Sequence, residues 1–445
     1  MAPRPTTSLA SPKFKMSRPK HFFLVAVSIC ILACATAGDR GGQPLVTAIG
    51  KDAATSLYTI PAKSGRPLVL DLSGPIVWST CDDDGASHDT LECNDMDCMR
   101  AHRFHPPNCP HNGNGMPDAQ NDHRCKCTAH PHNPVSGDTA SGDMVRVTLS
   151  ANATDGKNPL HEVSFTAAAS CAPDSLLAGL PAGAVGVAGL ARSGLAFPAQ
   201  VARTQGVANS FALCLGNRER AGVAIFGGGP LFAANGRSIT DMLGGDTPLR
   251  KHGESPGYHV TASRGVFVDG ARVPLDDSYG PLAIGFSTTT PYALLRRDVY
   301  RPLIDAFDQA MERDGAITAG ARIPSPAGSP FELCYNSSRL SLTRFGYFVP
   351  TVGFGLEGGA SWAVQGINSM ALVIGRRMAC FGFVEMKEGD KAGYGGGAAP
   401  AVVLGGLQME ENLVVFNEEK RTMAFTGQIN GRGLSCSNFN FTMPA

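Results

Sequence analysis

Charge is scarce in this chain. Only 17% of its 445 residues are Asp, Glu, Lys or Arg, and 38 basic residues balance 38 acidic ones. A typical soluble domain is about 25% charged. The balance leaves no polybasic field for nucleic acid and no net charge to steer a partner. Long apolar runs are lacking too. Outside the N-terminus no segment approaches the roughly 20 residues that span a bilayer. Cysteines never fall in a Cys-x-x-Cys pair, so no standard zinc finger is encoded. The glycine strings "FGGGP" and "LGGL" lack the lysine and the spacing of a phosphate loop. They read as strand ends and tight turns. The acidic run Asp82-Asp83-Asp84 has no ligand-spaced glycine loop after it and reads as a solvated loop, not a calcium site.

Turn-formers are plentiful, with 53 Gly and 31 Pro, which suits a turn-rich β protein better than a helical one. Short runs rich in Val, Phe and Thr recur between Gly, Pro, Asn and Asp: "SLYTIPA", "LVLDLSG", "MVRVTLSA", "EVSFTAAA", "VAIFGGG" and "AVVLGGL" among them. Helical periodicity is clear only at Asp298 to Met311, where Val299, Leu303, Ile304, Phe307 and Met311 share a face. A shorter helix is expected at "FPAQVARTQ", with Pro198 in its first turn.

The N-terminus reads as a secretory signal. Arg4, Lys13, Lys15, Arg18 and Lys20 precede an apolar run from Phe22 to Ala35, and Ala35-x-Ala37 offers a cleavage site, so residues 1–37 are expected to be removed. Cys30 and Cys34 leave with that segment. The remaining cysteines are odd in number, and in a secreted chain they are expected to form disulfides with one left over. Cys93, Cys98, Cys109, Cys125 and Cys127 fall with seven histidines in an irregular, stapled loop region between Cys81 and Asp138. Asn152, Asn336 and Asn440 head glycosylation sequons.

The two halves echo each other. "LVLDLSG" is followed about 120 residues later by "GAVGVAGLARSGLAFPAQ", and "PLAIGFSTTTPYALL" about 120 residues later by "APAVVLGGLQMEENLVVF". These strings resemble the pepsin-like aspartic proteases in their plant branch. Trp78 falls seven residues after Asp71, as in active members. "GVAGLARSGLAFPAQ" is similar to the plant signature Gly-x-x-Gly-Leu-Gly-Arg-x-x-Leu-Ser-x-Pro-x-Gln, departing from it at Ala191 and Ala196. The resemblance is closer to the cereal xylanase inhibitors of the TAXI type and their seed-globulin relatives. It is carried by "ATSLYTIP", "GPIVWSTC", "NPVSG", "ANATDG", "GVAIFGGGP", "PYALLRRDVYRPLIDAF" and "GFVEMK", across roughly residues 45 to 436.

The resemblance implies a mainly β, bilobal pepsin-like fold with two β-barrel-like lobes and a few short helices. The lobes are expected at 45–226 and 258–436, joined by an irregular inter-lobe segment at 227–257 and followed by a tail at 437–445. In active members each lobe supplies an aspartate, and the pair shares one proton because adjacent carboxylates cannot both ionise cheaply. Here Asp71, Leu72, Ser73 and Gly74 stand where Asp-Thr-Gly-Ser is expected. Leu72 brings no hydroxyl, which implies loss of the cross-lobe hydrogen bond made there. Counting back thirteen residues from Tyr300 places Ser287 at the second aspartate and Thr289 at the following glycine. His130 and His132 replace flap tyrosines. Ser287 as a nucleophile finds no histidine near it in sequence. The resemblance therefore implies no catalytic residue, no cofactor and no metal.

It implies instead a secreted, extracellular protein of the apoplast or cell wall, monomeric, that inhibits microbial glycoside hydrolase family 11 xylanases. The family's inhibitory His, four residues before the last Cys, is Arg432 here, on a loop "TGQINGRGLSC" two residues longer than the inhibitor loops. Leu340, six residues after Cys334, matches a position that packs against the enzyme's subsites. The implied disulfides are Cys81–Cys171, Cys214–Cys436 and Cys334–Cys380. The alternatives are a non-inhibitory binding or storage-like protein, or an atypical aspartic endopeptidase.

Overall fold

A computed structural model describes residues 42–81, 89–103, 126–217, 220–276, 278, 280–313, 320–373, 375, 377–387 and 399–440. The expected signal segment, Asp82–Asp84, Cys109 and Cys125 lie outside the described residues.

The β-branched runs form strands because the turns between them are built from residues that tolerate tight geometry. The first lobe holds β1 (Leu45–Lys51), β2 (Tyr58–Lys63), β3 (Arg66–Asp71), β4 (Val77–Thr80), β5 (Thr128–Ala129), β6 (Gly142–Thr154), β7 (Pro159–Ala172), β8 (Gly186–Gly189), β9 (Ser210–Cys214) and β10 (Gly222–Phe226). Strands β1, β2, β3, β8, β4, β7 and β6 neighbour one another in that order. β6 then returns to β1 through the pairs Leu45–Ala153 and Val46–Asn152, closing a seven-stranded barrel without free edges. The long β6–β7 hairpin is set by its turn, where the Asp155 carboxylate accepts the Lys157 and Asn158 N–H groups at 2.8 Å each.

In the second half, β11 (His259–Ala262), β12 (Leu282–Phe286), β13 (Ala293–Leu295), β14 (Phe383–Glu385) and β15 (Val402–Leu404) form a sheet of order β11-β12-β15-β13-β14. The two halves share one local topology. β3 runs parallel to β8 and β8 antiparallel to β4; β12 runs parallel to β15 and β15 antiparallel to β13. This is the duplicated element of a bilobal pepsin-like fold.

The C-terminal strands β16 (Asn412–Asn417) and β17 (Thr422–Gln428) tie the lobes together, since β16 pairs with β9 of the first lobe from Leu413–Cys214 to Asn417–Ser210. Phe211, Phe416 and Phe286 form an aromatic row across this junction, with ring centroids 5.1 Å and 5.9 Å apart. The Cys214–Cys436 disulfide locks the same place across 222 positions of sequence. Cys81–Cys171 and Cys334–Cys380 are also joined. Cys98–Cys127 is a fourth bridge, and Cys93 is disulfide-bonded too.

The stretch 227–257 is less irregular than its glycines suggest. It carries a 3-10 turn at Thr240–Met242, and Thr247–Pro248 pairs with Met423 and Thr422 of β17. The two longest helices among the described residues fall where the periodicity places them: α1 is Phe197–Gln205 and α2 is Arg297–Arg313; short helical turns at Met96–Ala101, Gly366–Ser369 and Gly406–Met409 were not expected. Pro302 inside α2 costs about 3 kcal/mol. Burial of Val299, Leu303, Ile304, Phe307 and Met311, at about 1.5–3 kcal/mol each, outweighs it. No helix among the described residues is long and apolar enough to cross a membrane.

Candidate functional site

The apolar run of β3 carries Asp71 into the interior, where it is 1% exposed. Its Oδ1 accepts the Ser73 N–H at 2.8 Å, and the Gly74 N–H donates to the Asp71 carbonyl at 3.2 Å. Gly74 is required by space: a Cβ there would lie 2.8 Å from Oδ2 of Asp71 and 3.1 Å from the Gly189 Cα. Burial raises the Asp71 carboxyl to about 6, against the opposing backbone donors of Ser73 and Gly74.

The second lobe repeats this geometry with a different side chain. Asp71 sits opposite Gly189 at the end of the parallel β3–β8 pair, and the matching β12–β15 pair ends with Phe286 opposite Leu404. The next residue is Ser287, 7% exposed, whose N–H donates to the Leu404 carbonyl at 2.9 Å. Ser287 Oγ accepts the N–H groups of Thr289 at 3.3 Å and Thr290 at 3.1 Å, and it also bonds the hydroxyls of both. A hydroxyl and a carboxylate thus support the same kind of turn, by accepting backbone donors two or three residues on. Only the carboxylate titrates in the physiological range.

Leu72 is fully buried in the core. The cross-lobe link expected to vanish with its missing hydroxyl survives from the other side. Thr288 Oγ1 donates to the Leu70 carbonyl at 2.6 Å and accepts the Leu72 N–H at 3.2 Å. Thr288 was not singled out in the sequence, although the string "FSTTT" and the matching registers put it opposite Leu72. One hydroxyl therefore holds both backbone groups, and the Leu72 side chain is free to pack.

The two histidines expected in flap positions differ in setting. His132 is 5% exposed. Its Nδ1 lies 3.0 Å from Thr139 Oγ1, and its carbonyl accepts the Trp78 Nε1–H at 3.0 Å. Burial lowers its imidazole to about 4, so it stays neutral at ordinary pH. His130 is half-buried and lies 3.1 Å from Ser141 Oγ. Cys98, His102 and Cys127 approach one another as metal ligands would, but the two sulfurs form a disulfide and offer no thiolates.

The C-terminal loop leaves β17 through a 3-10 turn at Ile429–Arg432, capped by Gly433 in the left-handed conformation with φ 72°. Arg432 is exposed, and its guanidinium has no hydrogen bond or ion pair among the described residues; its carbonyl accepts from Arg237 at 3.0 Å. Leu340, expected at the enzyme-facing surface, is instead 6% exposed and part of the core. The chain turns at the 3-10 segment Ser337–Arg339, which swings Leu340 inward. The following hairpin, Leu342–Thr343 paired with Gly346–Tyr347, presents Leu342 at 74% and nearby Phe348 at 52% exposure. The Phe345 ring of this hairpin packs against Gly431, where a Cβ would lie 2.5 Å from Cε1, and the Arg344 guanidinium lies 4.8 Å from the Phe345 ring centroid. Hairpin and C-terminal loop therefore form one surface with two exposed apolar side chains and two exposed arginines. Asn336 caps the 3-10 turn through Oδ1, while Asn152 and Asn440 are exposed.

Residues 58–228 match the family model for the xylanase inhibitor N-terminal domain, and residues 257–427 match that for the xylanase inhibitor C-terminal domain. The chain is 53% identical to a rice (Oryza sativa subsp. japonica) protein named Chitinase CLP, over 95% of this chain and 99% of that protein. Among solved structures it is similar to edgp, with TM-score 0.75 and 28% identity, covering 90% of this chain and 99% of that one. It is also similar to basic 7S globulin from soybean, with TM-score 0.70 and 25% identity, covering 89% and 99%.

Proposed function

The chain belongs to the TAXI-type xylanase-inhibitor family of pepsin-like proteins, and from that premise we propose that it is a secreted, proteolytically inactive protein that binds and blocks family 11 endo-xylanases of microbial origin. The observation that carries the first half is Ser287. The like pairing of β12–β15 and β3–β8 supports reading it as the position of Asp71's partner. A serine hydroxyl does not ionise near Asp71's range and cannot share a proton with it. Asp71 alone cannot hold a water as base and polarise a carbonyl as acid at the same moment.

The second half is supported by the exposed surface of Arg432, Arg344, Leu342 and Phe348. The active site of a retaining glycosidase holds two carboxyl groups about 5 Å apart. An arginine whose guanidinium has no partner among the described residues can bridge them by charge-assisted, bidentate hydrogen bonds. Leu342 then takes the apolar contact for which Leu340 is too deeply buried. The four disulfides among described residues and the sequons at Asn152, Asn336 and Asn440 suit an extracellular location, in the apoplast or cell wall. The proposed protein works as a monomer, with no cofactor.

The test titrates purified protein against a panel of family 11 xylanases and, separately, against haemoglobin at acidic pH. Inhibition of at least one xylanase is expected, weakened at least tenfold by Arg432→Ala and less by Leu342→Ala, with Asp71→Asn inhibiting as well as wild type. Haemoglobin cleavage that disappears in Asp71→Asn would sink the reading, as would inhibition indifferent to both surface variants. The rice relative's name favours a second reading, action on chitin. Release of N-acetylglucosamine oligomers from chitin, lost in Asp71→Asn, would replace the inhibitor assignment.

A further inference from the structure

A cleft of about 170 Å³ lies where Lys51 and Tyr58 of the first lobe meet Tyr292, Leu407 and Glu410 of the second. Its polar end is built from distant parts of the chain. Glu410 is 4% exposed, and its Oε1 accepts from Lys51 Nζ at 2.5 Å and from the Tyr58 hydroxyl at 2.8 Å. Burial, and then the charge of Glu410, hold the Tyr58 phenol far above its ordinary range, so it remains a neutral donor. Ile367, Leu372 and Leu407 supply an aliphatic wall, and Tyr292 an aromatic one.

Three more polar side chains line the cleft without a hydrogen bond to any described residue: the Ser56 hydroxyl, the Asn217 amide and the Tyr292 hydroxyl. Burial, and then the charge of Glu410, push the Tyr292 hydroxyl up. Ser56 adopts a left-handed backbone with φ 60°, and Glu411, next to Glu410, does so with φ 56°. Such conformations are costly for residues other than glycine and gather at ligand clamps.

We propose that this cleft binds one neutral pyranose ring, free or at the end of an oligosaccharide. Lys51 and Glu410 cancel each other, so a charged ligand gains nothing from the site. A lining that mixes hydrogen-bonding side chains with aromatic and aliphatic ones matches a ring with hydroxyls at its edge and C–H groups on its faces. The volume is below the roughly 300 Å³ of sites for drug-sized ligands, which limits the occupant to a single ring. The site is separate from Asp71 and does not rest on xylanase inhibition.

Saturation-transfer NMR on the intact protein tests it, with glucose, xylose and N-acetylglucosamine at millimolar concentration, glucuronate as the charged ring and glycerol as the open-chain polyol. At least one neutral sugar is expected to receive transfer, with glucuronate and glycerol at least tenfold weaker. Tyr292→Ala and Leu372→Arg each weaken the sugar at least tenfold. Tyr292→Phe, which removes only the hydroxyl, weakens it about threefold and covers the case of a variant that fails to fold. No transfer to any neutral sugar, equal transfer to glucuronate, or a signal unchanged in the folded variants would overturn the proposal. Binding is read on the sugar itself, so its failure is distinct from failure of the inhibitor assay.

Discussion

Asp71 ends β3 and Ser287 directly follows the equivalent β12, and each caps the turn that follows it. The carboxylate and the hydroxyl both do that structural work. They differ in what they add. Asp71 brings a buried titratable group raised to about 6, whereas Ser287 brings none. A turn of this kind is held by a carboxylate or by a hydroxyl, because the backbone donors need an acceptor and not a charge.

Restoring symmetry should cost the most. Ser287→Asp places a second carboxylate at a buried position, where it is expected to interact with Asp71 and to lower stability by about 4 kcal/mol at pH 7. Urea unfolding at pH 4 should recover most of that loss, because both groups are then largely protonated. Equal losses at the two pH values would show that the two positions do not interact.

Removing charge from the first lobe comes next. The Asp71 carboxyl lies at about 6 in the folded protein against 3.8 ordinarily. Between those values the folded state holds more protons than the unfolded one, so stability falls as pH rises from about 4 to about 6. The expected fall is about 3 kcal/mol, and Asp71→Asn abolishes it. Unfolding midpoints measured across this window read the slope directly.

Cutting the one hydroxyl that joins the lobes here is a smaller effect. Thr288→Val leaves the Leu70 carbonyl and the Leu72 N–H buried without this partner, a loss of about 2 kcal/mol independent of pH. The smallest effect is Ser287→Ala, about 1 kcal/mol from the lost acceptor for Thr289 and Thr290. It should be flat with pH, in contrast to Asp71. A pH-dependent Ser287→Ala would break the distinction between the lobes.

Much of the scaffold is legible in the chain itself. β-branched runs between turn-formers located the strands, and a five-residue apolar face located α2. The echo of "LVLDLSG" and "PLAIGFS" located equivalent strand ends, because parallel pairing buries both faces and demands a continuous apolar run. The site was legible only where its residues are close in sequence. Leu340 looked accessible and is core, since a single 3-10 turn decides which of Leu340 and Leu342 faces inward. Thr288 was overlooked because its partners, Leu70 and Leu72, lie 218 and 216 positions away.

By itself the sequence determined the family, the β architecture and the unequal ends of the two lobes, because local pattern and residue identity carry those. The tertiary structure alone decided that Thr288 bridges the lobes, that Arg432 shares a face with Leu342 and Phe348, and that Lys51, Tyr58 and Glu410 meet in one cleft. These are contacts between distant segments, fixed by strand register and lobe docking, and no spacing along the chain encodes them.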